Sequence, residues 1–348
     1  MSTTTLKKKN SFSIGQYSYI LICLVLFAAY WIINGRMSLK LFTNIFMYHS
    51  AIIGVLGLGM GMIIITGDID LSVGAILSCI ASFACVIFNL LVLANVPSGL
   101  VITITVLFCI VGGTLLGFVN GAMIGKLKLP AFIVTLATQL IYRSVSKYAC
   151  NIIDNSVTGG TGSGNVYKLL NGPARDGMYA FGNRDLFGAL PYIGLLFLVI
   201  AVILIYISTS TKYGKRLYAI GSNAKAAHMA GVNVEWNRTS VFTITGLLCG
   251  NGAIMWLGQQ SGVDPSTAGV SNEMYAIAAV VLGGIAMSGG KGRMLGIVFG
   301  TFSYTLIDKI INAMNVSSLV NDSIKGAILL VAIVIQVLGP QLRKKHGE

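Results

Sequence analysis

The stretch Thr211 to Arg238, TKYGKRLYAIGSNAKAAHMAGVNVEWNR, decides how this chain is read, because it is a basic, polar interval between two long apolar runs. Lys212, Lys215, Arg216, Lys225 and Arg238 are cationic, and only Glu235 is anionic. Loops rich in Lys and Arg stay on the cytoplasmic side of a membrane. Within the interval, Asn223 is placed to cap a short helix through Ala224–Ala230 that Gly231 closes. A short helix of small residues at the inner face is a poor membrane anchor and a good docking surface. A soluble cytoplasmic partner is expected to push on it.

The composition agrees with a membrane setting. Mean hydropathy is +0.80; 55% of the 348 residues are apolar and only 10% charged, too few charges for a soluble surface. The net charge of +13 does not read as nucleic-acid binding, because the cations lie between apolar segments rather than on one face. Lys7–Lys9 before an apolar run look like a signal peptide, but no small-residue cleavage site follows, so the run is taken as the first span. Cys23, Cys79, Cys85, Cys109, Cys150 and Cys249 have no metal spacing and sit in or at the end of apolar runs. His49, His228 and His346 are scattered, which argues against a histidine metal site.

Apolar runs long enough to cross a bilayer fall near 16–34, 49–66, 72–95, 99–125, 131–150, 190–209, 239–258, 274–290, 294–312 and 324–340. The expected fold is therefore an all-α polytopic membrane protein of about ten transmembrane helices, with both termini cytoplasmic. Residues 1–15 form an N-terminal tail, 16–340 one permease-like membrane domain and 341–348 a C-terminal tail. With that topology, fifteen of the 24 Lys and Arg residues are cytoplasmic. The longest hydrophilic interval, 151–189, then lies outside, and reads either as a surface loop or as a docking surface for an extracytoplasmic protein.

Glycine is the second signal. Gly113, Gly117, Gly121 and Gly125 form three consecutive G-x-x-x-G units on one helix face. Small residues let helix backbones approach closely in lipid, so the stripe serves tight packing or a sliding groove. Between the second and third spans, Asp68, Asp70 and Ser72 occupy a break after a run of only about 16 residues, or about 24 Å of helix. These acids either line a permeation path or its inner gate, or cap the next helix. Asn120, Gln139 and Asn251 are neutral intramembrane hydrogen-bonders suited to a hydroxyl-rich solute, and equally to interhelical bonding. Asp308 and Lys309 are adjacent and do not face each other. Gly67–Gly74 (GDIDLSVG) and Gly289–Gly296 (GGKGRMLG) share glycine spacing and both face inward, a weak internal echo.

No G-x-x-x-x-G-K-[ST] phosphate loop is present, and no nucleophile, base or metal constellation. The chain is expected to be a transport subunit and not an enzyme; it binds no cofactor, and any ATP and Mg belong to a partner subunit. Four ordered motifs carry a resemblance. Gly59–Gly74, GMGMIIITGDIDLSVG, resembles the G-x-D-L-S-x-G signature of permeases of monosaccharide ABC importers of the ribose, galactose, xylose and arabinose group. Phe118–Gly121 with Leu129–Leu136 resembles that family's N-G and P-x-F-I-x-T-L pattern. Tyr213–Val232 resembles its cytoplasmic coupling segment, and Tyr275–Gly284 followed by Gly289–Gly292 its late-span signature. Many relatives have an aspartate where Tyr275 stands.

The resemblance implies a permease in a bacterial cytoplasmic (inner) membrane, paired with a second copy or a sister permease. An ABC ATPase subunit would lie below it and an extracytoplasmic sugar-binding protein above. It implies a coupling role for Ser222, Asn223, Ala226, Ala227, Met229, Ala230, Gly231 and Val232, within the loop 211–238. The rival readings are a branched-chain amino-acid ABC permease and an ATP-independent secondary carrier or channel. A membrane-embedded enzyme lacks any catalytic constellation.

Overall fold

The structure, a computed structural model, describes residues 18–35, 38–160, 166–314, 320, 323–328, 330, 331 and 334. The N-terminal lysines, the basic tail and most of the expected span 324–340 lie outside the described residues. Helix α1 (Ser18–Asn34) leads to the short α2 (Leu39–Thr43), which runs through a π-helical turn at Asn44–His49 into α3 (Ala51–Ile65). The two apolar pieces meet at a 44° bend. Ser50 sits at the bend, its Oγ within 2.9 Å of both the Ile45 carbonyl and Thr305 Oγ1. The π-turn and this inserted hydroxyl explain the kink. The second expected span is therefore not short. It begins near Leu39, well before His49.

Helices α4 (Val73–Leu93), α5 (Ser98–Gly125) and α6 (Ala131–Ile152) follow. The glycine stripe of α5 packs on α12 (Val234–Gln260). A Cβ placed at Gly113, Gly117 or Gly121 would lie within about 2.5 Å of the Gly246, Phe242 or Thr239 carbonyl. Only hydrogen fits in those gaps, and Thr239 Oγ1 uses the close approach to donate to the Gly121 carbonyl at 3.0 Å. The other faces of α5 and α6 expose Leu107, Leu115, Phe132, Ile133, Leu140 and Ile141, as lipid-facing or subunit-facing helices do.

The expected outer interval is folded. It contains α7 (Asn155–Thr158), β1 (Tyr167–Lys168), α8 (Pro173–Asn183), and a hairpin of β2 (Asp185–Leu186) with β3 (Leu190–Pro191). Strand β1 pairs antiparallel with β4 (Gly262–Val263), placing Tyr167 opposite Val263. Asn89 pins the interval to α4, donating to the Val157 and Lys168 carbonyls. Helices α9 (Tyr192–Ser210), α10 (Lys212–Ser222) and α11 (Ala224–Met229) then lead into α12. The chain continues through α13 (Asn272–Leu282) and α14 (Met294–Ala313).

Among the described residues, α4, α5, α9, α12 and α14 are long and apolar enough to cross a membrane, and the bent α2–α3 pair makes a sixth. Of the other expected spans, α1 has 17 residues and α6 carries Arg143 and Lys147. The expected span 274–290 holds an 11-residue helix, α13, followed by a glycine turn. Eleven residues reach only about 16 Å, too short to cross alone. The chain is a multi-pass integral membrane protein. One end of the bundle is basic: it carries the loops around Lys126 and Lys128, residues 211–233, and Lys291 and Arg293. At the opposite end Lys168, Arg175 and Arg184 are interspersed with Asp154, Asp176, Asp185 and Asp264.

Candidate functional site

The break between α3 and α4 lies at the basic end and is buried. Thr66 ends α3, its hydroxyl donating to the Ile63 carbonyl at 2.7 Å, and Gly67 turns the chain with φ +87°. Asp68 is nearly enclosed and is gripped by Arg238 from the first turns of α12: Nε donates to Oδ2 at 2.7 Å, and Nη2 pairs with Oδ1. A two-toothed Arg–carboxylate pair fixes geometry as well as charge. In the sequence Arg238 reads only as one of the cations of the 211–238 interval.

Asp70 faces inward. Its Oδ1 accepts from the Ser72 amide at 2.7 Å and from Ser72 Oγ at 2.6 Å. Asn120 on α5 donates to Ser72 Oγ at 2.8 Å, and Tyr142 on α6 donates to Asn120 Oδ1 at 3.2 Å. Asp70, Ser72, Asn120 and Tyr142 thus form one buried chain across the break, α5 and α6. Each link uses the donor or acceptor the next requires, so losing one member strands its neighbours. Ser72 itself makes no side-chain cap to α4, although Asp70 takes up the Ser72 amide. In the sequence Tyr142 stands between Gln139 and Arg143, with nothing to mark Asn120 on another helix as its partner.

The break is also where the polar interval 211–233 packs. Residues 211–233, ahead of α12, hold two helices where one was expected. Thr211 caps α10 through the Gly214 amide, and Asn223 caps α11 through the Ala226 amide at 2.9 Å. Gly221, near the end of α10, lies so close to the end of α3 that a Cβ there would fall 1.8 Å from the Ile65 carbonyl. That carbonyl accepts from the Gly290 amide of the α13–α14 turn at 2.9 Å. At Gly290 a Cβ would lie 2.3 Å from Ser222 Oγ, and at Gly289 it would lie 3.0 Å from Gly67. The two hairpins of the sequence echo therefore touch, and the end of α10 packs against both.

The residues of α11 divide by exposure. Asn223, Ala226, Met229, Ala230 and Gly231 are exposed, as is Ser222 before them, whereas Ala227 is buried and Val232 half-buried. Met229 is 82% exposed, which offers an apolar knob to a partner. Gly231 turns with φ +82°, and the Val232 amide folds back to the Ala227 carbonyl.

The other polar candidates make separate contacts, although Glu273, the partner of Gln139, comes up against Gly74 at the start of α4. Gln139 donates to Glu273 Oε1 at 3.3 Å, and Asn251 bonds only within its own helix, to the Leu247 carbonyl. Asp308 pairs with Lys325 at 2.6 Å, not with Lys309, and the Lys325 ammonium lies 5.1 Å over the Tyr275 ring. Among the described residues no group of His, Cys, Asp and Glu is placed to hold a metal, and all six cysteines are buried.

The family described as "Branched-chain amino acid transport system / permease component" matches residues 42–333. The ribose import permease protein of Bacillus subtilis is 33% identical over 285 residues, covering 82% of this chain and 81% of that one. The xylose transport system permease protein of Escherichia coli K12 is 29% identical, covering 90% and 88%. The autoinducer 2 import system permease protein of Yersinia pseudotuberculosis is 31% identical, covering 90% and 82%.

Proposed function

Because this chain belongs to the family of branched-chain amino acid transport system permease components, we propose that it is the membrane subunit of an ATP-driven importer that takes up a monosaccharide. A separate ABC ATPase docks on the basic, cytoplasmic end, and an exported sugar-binding protein delivers solute to the other. The membrane is the bacterial cytoplasmic membrane, crossed about ten times with both termini inside. The exposed apolar faces of α5 and α6 are covered by lipid and by a second permease, either a second copy or a sister chain.

The observation that carries this reading is the contact of α10 with both inner hairpins. ATP binding draws the ATPase subunits together and displaces α11 through its exposed face. Helix α10 passes the displacement to the Thr66–Ser72 break and the α13–α14 turn, while Arg238 holds Asp68 to α12. Packed glycine contacts with backbone on both sides switch between discrete arrangements more readily than they deform. The chain Asp70–Ser72–Asn120–Tyr142 then closes the inner end in one arrangement and opens in the other. The path needs few strong ligands, because specificity resides mainly in the binding protein.

The family description also names branched-chain amino acids, which is the second reading. The names of the ribose and xylose relatives favour sugar. The test is uptake of D-ribose, D-xylose, D-galactose and L-leucine into proteoliposomes holding the permease, its ATPase and its binding protein. ATP-dependent sugar uptake supports the proposal. Leucine uptake alone, or uptake without ATP, would replace it.

A further inference from the structure

Arg143 is a cation in the middle of α6. That helix has 22 residues, about 33 Å in length, and Arg143 stands about 18 Å from its first residue. Two sets of contacts fix the depth. The hydroxyl of the preceding Tyr142 lies 3.5 Å from the Leu116 carbonyl, about 14 Å along α5 from its end at Gly125. Arg143 Nη1 donates to the Pro265 and Ala268 carbonyls, each at 3.1 Å. These belong to the non-helical segment between β4 and α13, which dips back into the bundle. A Cβ at Gly74 would lie 2.1 Å from the Gly269 carbonyl, and Gly74 is about 28 Å along α4 from its end at Leu93.

The guanidinium is only partly used. Nε and Nη2 donate to nothing among the described residues, yet Arg143 is half-buried and these atoms are not sealed off. Glu273 acts on the cation from beyond ion-pair distance. Gln139, Arg143 and Lys147 recur every four residues, so one face of α6 is polar and half-buried. The opposite side exposes Ile141, Val145 and Tyr148, as a lipid-facing side does. Lys147 is close enough to the end of α6 for its stem to carry the ammonium out to the surface. Arg143 is held by two carbonyls and has no such escape. An open guanidinium at this depth is costly against hydrocarbon, and belongs at a water-filled cavity.

We propose that the solute path runs along this polar face of α6, between this chain and the permease paired with it, and that the free edge of Arg143 touches solute as it passes. This rests on the importer reading above, which supplies the solute class: a neutral, hydroxylated molecule whose oxygens accept from Nε and Nη2. The path then lies outside the packed core of one chain. The nearby Glu273 carboxylate offsets the cation, so that anions are not held, and a few weak contacts let a solute enter and leave.

The test compares two single cysteines at one depth, in the full chain assembled with its ATPase and binding protein. The six native cysteines are buried. Leu140→Cys lies one turn from Arg143 and beside its face, whereas Ile141→Cys lies on the opposite side; the parent residues are exposed at 65% and 54%. In nanodiscs, a trimethylammonium methanethiosulfonate, which is charged and reacts from water, should modify Leu140→Cys at least about tenfold faster than Ile141→Cys. In proteoliposomes, that modification should block ATP-dependent uptake of D-ribose, D-xylose or D-galactose in Leu140→Cys, reversibly on reduction, and leave Ile141→Cys working. Modification of Leu140→Cys no faster than of Ile141→Cys overturns the path, and would make the face a dry contact between permeases. Fast modification that leaves uptake unchanged overturns it as well. A parent complex that takes up none of these sugars sinks the importer reading alone, because the contrast in labelling does not depend on uptake.

Discussion

Arg238 Nε donates to Asp68 Oδ2 at 2.7 Å, tying the first turns of α12 to a hairpin 170 residues earlier. The Asp68 side chain is only 6% exposed and the Arg238 side chain 30%. The pair joins the start of α12 to the buried break, so it bears on stability and, on the proposed function, on transmission as well.

Arg238→Ala should leave Asp68 buried without its cation. Removing one partner of a buried pair is costly, and the partial exposure of Arg238 lowers the expected loss to about 2–3 kcal/mol. Thermal unfolding in detergent measures this. Adding Asp68→Asn to Arg238→Ala should recover about half of the loss, whereas purely additive losses would mean that the two side chains do not interact.

Gly221→Ala introduces a methyl group 1.8 Å from the Ile65 carbonyl, where backbone rather than a flexible side chain must yield. The reconstituted complex should keep most of its ATPase activity while uptake falls at least about tenfold, the equivalent of about 1.4 kcal/mol. Equal uptake in variant and parent would show that α10 does not drive the hairpins.

The exposed face of α11 should be separable from its buried one. Met229→Glu changes a residue that is 82% exposed, and is expected to weaken ATPase association with stability held within about 0.5 kcal/mol. Ala227→Glu places a charge at a 6% exposed position and should disrupt the segment itself. Co-purification and unfolding measured together distinguish the two outcomes.

Within the buried chain, Tyr142→Phe removes one hydrogen bond, worth about 1 kcal/mol. Asn120→Ala strands both the Tyr142 hydroxyl and the Ser72 acceptor, and should cost more than Tyr142→Phe in stability and in uptake. The reverse order would argue that Asn120 does not bridge the two.

Much of this arrangement is visible in the sequence where the signal is local. Asn223 and Gly231 mark α11 by capping chemistry alone, and the spacing of Gly113 to Gly125 marks a contact face without showing which helix it meets. The paired glycines of the two hairpins are visible as an echo, but their mutual contact is a matter of tertiary packing. Helix α10 was readable in principle, since Gly214, Leu217 and Ile220 fall three apart and are buried; the basic residues between them masked the periodicity. Tyr142 and Lys325 carry no such signal. Each acquires its role from a partner on another helix, Asn120 and Asp308 respectively, and an apolar run does not reveal which face turns inward. The bend at Ser50 was hidden for a similar reason, because a π-helical turn leaves no gap in hydropathy.

The central claim is that α11 and the end of α10 are where an ATPase drives this chain. Its most direct test is purification of the tagged protein in mild detergent, with identification of co-purifying chains and assay of ATP hydrolysis. The expected result is an ATP-binding subunit that is retained by the parent and lost when Met229→Glu is combined with Gly231→Trp. A chain that purifies alone and moves solute across vesicles without ATP would contradict the claim, and make the protein a carrier or a channel.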